Sequence, residues 1–199
     1  MRHVLAALFC ASAFAANSVE PAPRPPITLV LQFEGERSEE SVQAMKAEFE
    51  SLMRESGLTF EYRLRSELDH STPIAHLILV RFKGRCRMDS LPVLFDERGP
   101  YAATHVSDGE ILPFGQVACD RVRVSVRSSM TGDHLKRGDY YFGRALGRVL
   151  AHEVYHMLAR TRAHGTKGVA KTALSGEELL ADDLRFDHQD VGKIREAGF

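Results

Sequence analysis

Asp139-Tyr140-Tyr141-Phe142-Gly143-Arg144-Ala145-Leu146-Gly147-Arg148-Val149-Leu150-Ala151-His152-Glu153-Val154-Tyr155-His156-Met157-Leu158-Ala159-Arg160-Thr161 is the longest helical pattern in the chain. Phe142, Leu146, Val149, Leu150 and Leu158 recur at helical spacing and mark a buried face. His152 and His156 stand four positions apart, about 40° in direction and one turn in height on an α-helix. Both imidazoles therefore reach one ion from the same face. Zinc binds neutral imidazole readily, and a catalytic zinc takes three protein ligands and leaves a fourth position for water. Glu153 follows the first histidine, where its carboxylate can accept a proton from that water as general base.

Working upstream, Ile27-Thr28-Leu29-Val30-Leu31-Gln32-Phe33 is short, apolar and β-branched, the signature of a strand. Ser38, or alternatively Ser41, caps a helix whose stripe is Val42, Met45, Phe49, Leu52 and Met53, and Gly57 terminates it. Leu58 to Leu64 alternates as a half-buried strand, and Ile74 to Phe82 makes a third. Residues 84–101 read as irregular. Asp108-Gly109 places a hairpin turn within Ala103 to Ile111, and Val117 to Val126 reads as a further strand. Downstream, Ser175 to Leu184 and Asp187 to Ala197 read as short helices, with Leu179, Leu180, Leu184, Val191 and Ile194 packing beneath the long one. One helix between strands, then grouped strands, then helices imply an α+β fold: a mixed β-sheet with a backing helix, a long active-site helix and a small helical C-terminal lobe.

The N-terminus has the layout of a secretory signal peptide over residues 1–15. Arg2 and His3 precede an apolar run from Val4 to Ala15 that is too short to span a bilayer, ending in the small-residue pattern Ala13-Phe14-Ala15. A proline-rich leader occupies residues 16–26, and residues 27–199 form a single domain. Removing the signal removes Cys10 and leaves Cys86 and Cys119, which in a secreted or periplasmic chain are expected to form a disulfide; two separate buried thiols are the alternative. No other apolar run approaches membrane-spanning length. With 26 basic and 27 acidic residues and a net charge of −1, the chain has no electrostatic footprint for nucleic acid.

The motif His152-Glu153-Val154-Tyr155-His156 resembles that of the zincin metallopeptidases. The order strand, helix, further strands, then a helix bearing both histidines is similar to the N-terminal half of that family. The stretch through Gly168-Val169-Ala170-Lys171 is also similar to small secreted bacterial zincin-like proteins. The resemblance implies a Zn2+-dependent endopeptidase acting on peptide or protein substrates, with an edge strand that pairs with the extended substrate. His105 to Phe114 is the candidate for that edge. Where metzincins carry a glycine and a third histidine, this chain has Ala159 and Arg162, and no methionine follows Met157. His164, followed by Gly165, can swing back to the ion if the chain turns, which Gly165 and Gly168 favour. Gluzincins draw a glutamate from a following helix, which leaves Glu177 and Glu178 open as third ligands. Asp182, Asp183 and His188 stay open as well, as does a site with no third protein ligand. Ser175-Gly176-Glu177-Glu178 is also a capping box, which accounts for both glutamates without a metal. A secreted protein that binds metal or peptide on the same scaffold without turnover is the competing expectation.

Overall fold

The computed structural model describes residues 25–69, 73–88 and 99–196, so the expected signal peptide and most of the proline-rich leader lie outside the described residues. In chain order the elements are β1 (Ile27–Phe33), α1 (Glu39–Met53), β2 (Phe60–Leu64), β3 (Leu77–Lys83), β4 (Ala102–Ser107) and β5 (Glu110–Ala118). They are followed by α2 (Cys119–Ser129), α3 (Asp133–Lys136), α4 (Gly138–Leu158), α5 (Gly176–Leu180) and α6 (His188–Glu196). The five strands form one mixed sheet in the order β2-β1-β3-β5-β4, with β4 antiparallel to β5 and every other pairing parallel. The architecture is α+β, as the order of elements implied.

Local chemistry sets the first helix. The Ser38 hydroxyl accepts the Ser41 amide, Glu39 and Glu40 favour the first turn, and Gly57 ends the following 3₁₀ turn at φ 73°. Val42, Met45, Phe49, Leu52 and Met53 are all buried, as their spacing predicts. Each large side chain taken out of water there contributes roughly 1.5–3 kcal/mol.

α1 lies directly against α4, and two glycines set the distance. A Cβ on Gly143 would stand 2.3 Å from the Ser41 carbonyl oxygen, and one on Gly147 2.6 Å from that of Met45. Glu48 of α1 then reaches α4 between two arginines. Its Oε1 accepts Arg148 Nε at 2.7 Å and its Oε2 accepts Arg144 Nε at 3.1 Å. Arg148, whose side chain is fully buried, also donates Nη1 to the Glu178 carbonyl of α5 at 3.1 Å. One carboxylate thus holds the histidine-bearing helix against α1 while the same arginine holds α5.

Two expectations are corrected. Val117 to Val126 is not a strand: β5 ends at Ala118 and α2 begins at Cys119. Its buried residues, Cys119, Val122, Arg123 and Val126, repeat every three or four positions, and Asp120 pairs with Arg123 one turn on. The β-branched valines favoured strand by type, but their spacing fits one helical face, and packing decides. The segment His105 to Phe114 is not one edge. It splits at the Asp108-Gly109 turn, and of its two strands only β4 lies at an edge of the sheet, while Phe114 of β5 pairs with Leu79 of β3.

Cys86 and Cys119 are joined in a disulfide, at the ends of the neighbouring strands β3 and β5. Below α4, Leu179, Leu180, Val191 and Ile194 of α5 and α6 are buried, as expected of a small helical lobe.

Candidate metal centre

The site is built on the last two turns of α4. His152 Nδ1 lies 2.8 Å from the Val169 carbonyl oxygen and His156 Nδ1 lies 2.7 Å from that of Thr161. A carbonyl only accepts, so both Nδ1 atoms carry the proton and both Nε2 atoms present lone pairs. Those two Nε2 atoms face each other at 3.1 Å. Neutral acceptors so close repel unless a cation lies against both, which is the arrangement a metal-binding pair requires. Burial holds both imidazoles below their ordinary pKa, opposed in each case by the carbonyl bond, and so favours the neutral, ligating form.

α4 stops at Leu158, and Arg160 takes a left-handed conformation (φ 46°) that turns the chain away. The loop then doubles back. Gly165 donates its amide to the Ala170 carbonyl at 2.8 Å, and a Cβ there would meet Asp190 Oδ2 at 2.5 Å. Glycine permits that close seat, since a larger residue would have to displace the buried Asp190 carboxylate. Immediately before it, His164 brings its ring to centroid distances of 5.3 Å from His152 and 4.8 Å from His156. Ligand atoms of His152, His156 and His164 all fall within 4.8 Å of one another, so the three could hold one metal ion. His156 is buried, His152 half-buried and His164 exposed, giving the cluster one open side.

The other candidate ligands lie outside the histidine cluster. Glu178 Oε2 accepts the Ser175 amide at 2.8 Å and Oε1 takes the Lys171 ammonium, completing the capping box. Glu177 is exposed at the start of α5, Asp182 meets Arg144 at 3.2 Å, Asp183 is exposed, and His188 stands 4.0 Å from Glu55.

Glu153 is 5% exposed and shares with His152 the wall of a cavity of about 320 Å³. Burial raises its carboxyl pKa, while a hydrogen bond from Thr104 acts against that rise. Tyr155 points to the opposite side, fully buried, its hydroxyl 3.2 Å from both Asp190 Oδ1 and Lys193 Nζ. Asp190 in turn accepts Lys193 at 2.7 Å, so this trio fastens α6 beneath the site.

His105 lines a shallow hollow with Leu79, Arg81, Leu112 and Phe114, away from the histidine cluster. Four contributors were not apparent in the sequence: Thr104, the carbonyls of Thr161 and Val169, and Asp190. Each depends on chain segments meeting in space, and none belongs to a motif with fixed spacing. No protein-family model matches the chain, nor does any curated protein sequence.

Proposed function

We propose that this chain is a zinc-dependent peptidase of zincin type, secreted or periplasmic, with His152, His156 and His164 as metal ligands and Glu153 as general base. The observation that carries the reading is the convergence of three imidazoles, two with Nε2 turned inward by carbonyl bonds on Nδ1, beside a buried carboxylate. An all-imidazole donor set with an open side fits a catalytic rather than a structural zinc. Zinc bound there supplies a Lewis acid that polarises a peptide carbonyl and acidifies a water. The histidines hold the ion, and the Val169 and Thr161 carbonyls fix their tautomers. Glu153, in its low-dielectric wall, accepts the water proton on its carboxylate and delivers it to the leaving amine nitrogen.

The remaining support is architectural. The order β1, α1, four further strands and then, after the two shorter helices α2 and α3, the histidine helix is similar to that of zincins, and the edge strand β4 runs beside Glu153. An extended peptide can add to that edge through backbone hydrogen bonds. A substrate side chain then fits the adjoining cavity, whose walls include Tyr101, Val149, Ala173 and Leu174. The disulfide is compatible with an oxidising compartment, and among the described residues no helix is long and apolar enough to cross a membrane.

Metal analysis of the purified protein tests the centre, with His152→Ala, His156→Ala and His164→Ala compared with the parent. One zinc per chain is expected, lost or greatly weakened in each variant. A parent chain that takes up no zinc overturns the proposal. Glu153→Gln should retain the ion and lose hydrolysis of an unstructured protein such as casein. A zinc-loaded parent with no hydrolysis leaves a binding protein on the same scaffold.

A further inference from the structure

Glu153 projects from a helix with three rotatable side-chain bonds, yet its carboxylate is held in one place by a residue from another element. Thr104 Oγ1 donates to Glu153 Oε2 at 2.6 Å and lies 3.3 Å from the Glu153 carbonyl oxygen. A hydroxyl has a single proton, and the shorter, charge-assisted contact takes it. Thr104 sits on the edge strand β4, where it pairs across the ladder with Gly115 of β5. Gly115 leaves room for a side chain of α4: a Cβ there would meet Met157 Cε at 2.7 Å and the Ala103 carbonyl oxygen at 3.4 Å. The cross-strand pair Thr104–Gly115 therefore stands where β4 and β5 meet α4: the glycine admits Met157, and the threonine supplies the hydroxyl that reaches the Glu153 carboxylate.

We infer that Thr104 is the positioning residue for Glu153, fixing one carboxylate oxygen so that the other stays directed to the cavity beside His152. The role rests on the peptidase reading for its effect on turnover, but the positioning itself is a property of the fold. A β-branched residue suits the strand, and only one with a hydroxyl also supplies the donor.

The test compares Thr104→Val, which keeps the branch and removes the donor, with Thr104→Ser, which keeps the donor. All are zinc-loaded full chains, and zinc affinity is measured by competition with a chromophoric chelator. Thr104→Val should lower kcat on a peptide substrate about tenfold to a hundredfold with KM and zinc affinity within about twofold, and Thr104→Ser should recover most of the loss. Crystals of the same three proteins give a readout free of turnover: the Glu153 carboxylate should be ordered against the hydroxyl in the parent and in Thr104→Ser, and displaced in Thr104→Val. An unmoved carboxylate in Thr104→Val overturns the inference whether or not the protein hydrolyses peptides. So does an unchanged kcat, or a loss that serine fails to restore. A zinc-loaded parent without hydrolysis, with the carboxylate displaced only in Thr104→Val, instead overturns the peptidase reading and upholds the positioning.

Discussion

Replacing Glu48 by alanine removes the only carboxylate that bridges Arg144 and Arg148 in the contacts described above, and its cost can be worked from the geometry. The Arg148 side chain is fully buried and that of Glu48 is 11% exposed, so solvent cannot take over the charge. Burial already pushes the Arg148 guanidinium below its ordinary pKa, with the Glu48 bond working against that shift. Removing one partner of such a pair costs about 3–5 kcal/mol, because the remaining ion stays buried and uncompensated. For a domain of about 170 residues, each kcal/mol lowers Tm by roughly 2–4 °C, which places the loss between about 6 and 20 °C. Thermal unfolding followed by circular dichroism, with a urea titration for the midpoint, measures it. Because Arg148 lies one turn before His152, the same substitution should also weaken zinc binding. Glu48→Ala combined with Arg148→Met should recover much of the stability, since it removes the stranded charge. A single variant that melts within about 2 °C of the parent would refute the claim that this carboxylate neutralises a buried cation.

Gly147→Ala forces a Cβ to 2.6 Å from the Met45 carbonyl oxygen and should destabilise by about 1–3 kcal/mol, read from the same melts. Replacing Cys86 and Cys119 by serine opens a link across a sequence separation of 33 and should cost about 3–4 kcal/mol in the loop-entropy model, measured by urea unfolding. For the metal-free protein, the folded pKa values of His152 and His156 lie below their ordinary 6.5, so the unfolded chain takes up more protons as pH falls through that value. Stability should therefore decline on acidification below about pH 6.5, and zinc should be released over the same direction of change, followed by melts and metal occupancy. Glu153 has the opposite sign, its raised pKa favouring proton uptake by the folded state, so Glu153→Gln should make the acid decline steeper. Adding a chelator to zinc-loaded protein should lower Tm, since an ion present at a hundred times its Kd stabilises by about 2.7 kcal/mol.

The reading of α1 and α4 from sequence succeeded because both helices display their buried residues at a period that local geometry dictates. Val42, Met45, Phe49 and Phe142, Leu146, Leu150 are all buried. The failure at α2 has the same root: valines at positions 122, 124 and 126 satisfy the alternation of a strand, while Cys119, Val122 and Val126 satisfy a helical face. Side-chain type and short spacing could not separate the two. Contact with the rest of the fold did, by burying the helical set.

The site divides along a similar line. His152, Glu153 and His156 could be grouped from the sequence because three positions on one helix have a fixed relation whatever surrounds them. His164 could only be offered beside Glu177, Glu178, Asp182, Asp183 and His188, since a loop has no period. Its approach depends on Arg160 at positive φ and on Gly165 seated against Asp190. The inward orientation of the two Nε2 atoms depends on carbonyls at Val169 and Thr161, and the hold on Glu153 on a hydroxyl from β4. The identity and spacing of the chemical groups on the helix were thus local properties, written in the sequence. Their orientation, burial and third partner were decided by segments that meet only when the chain folds, because a hydrogen bond or a close backbone approach between distant residues leaves no periodic trace along the chain.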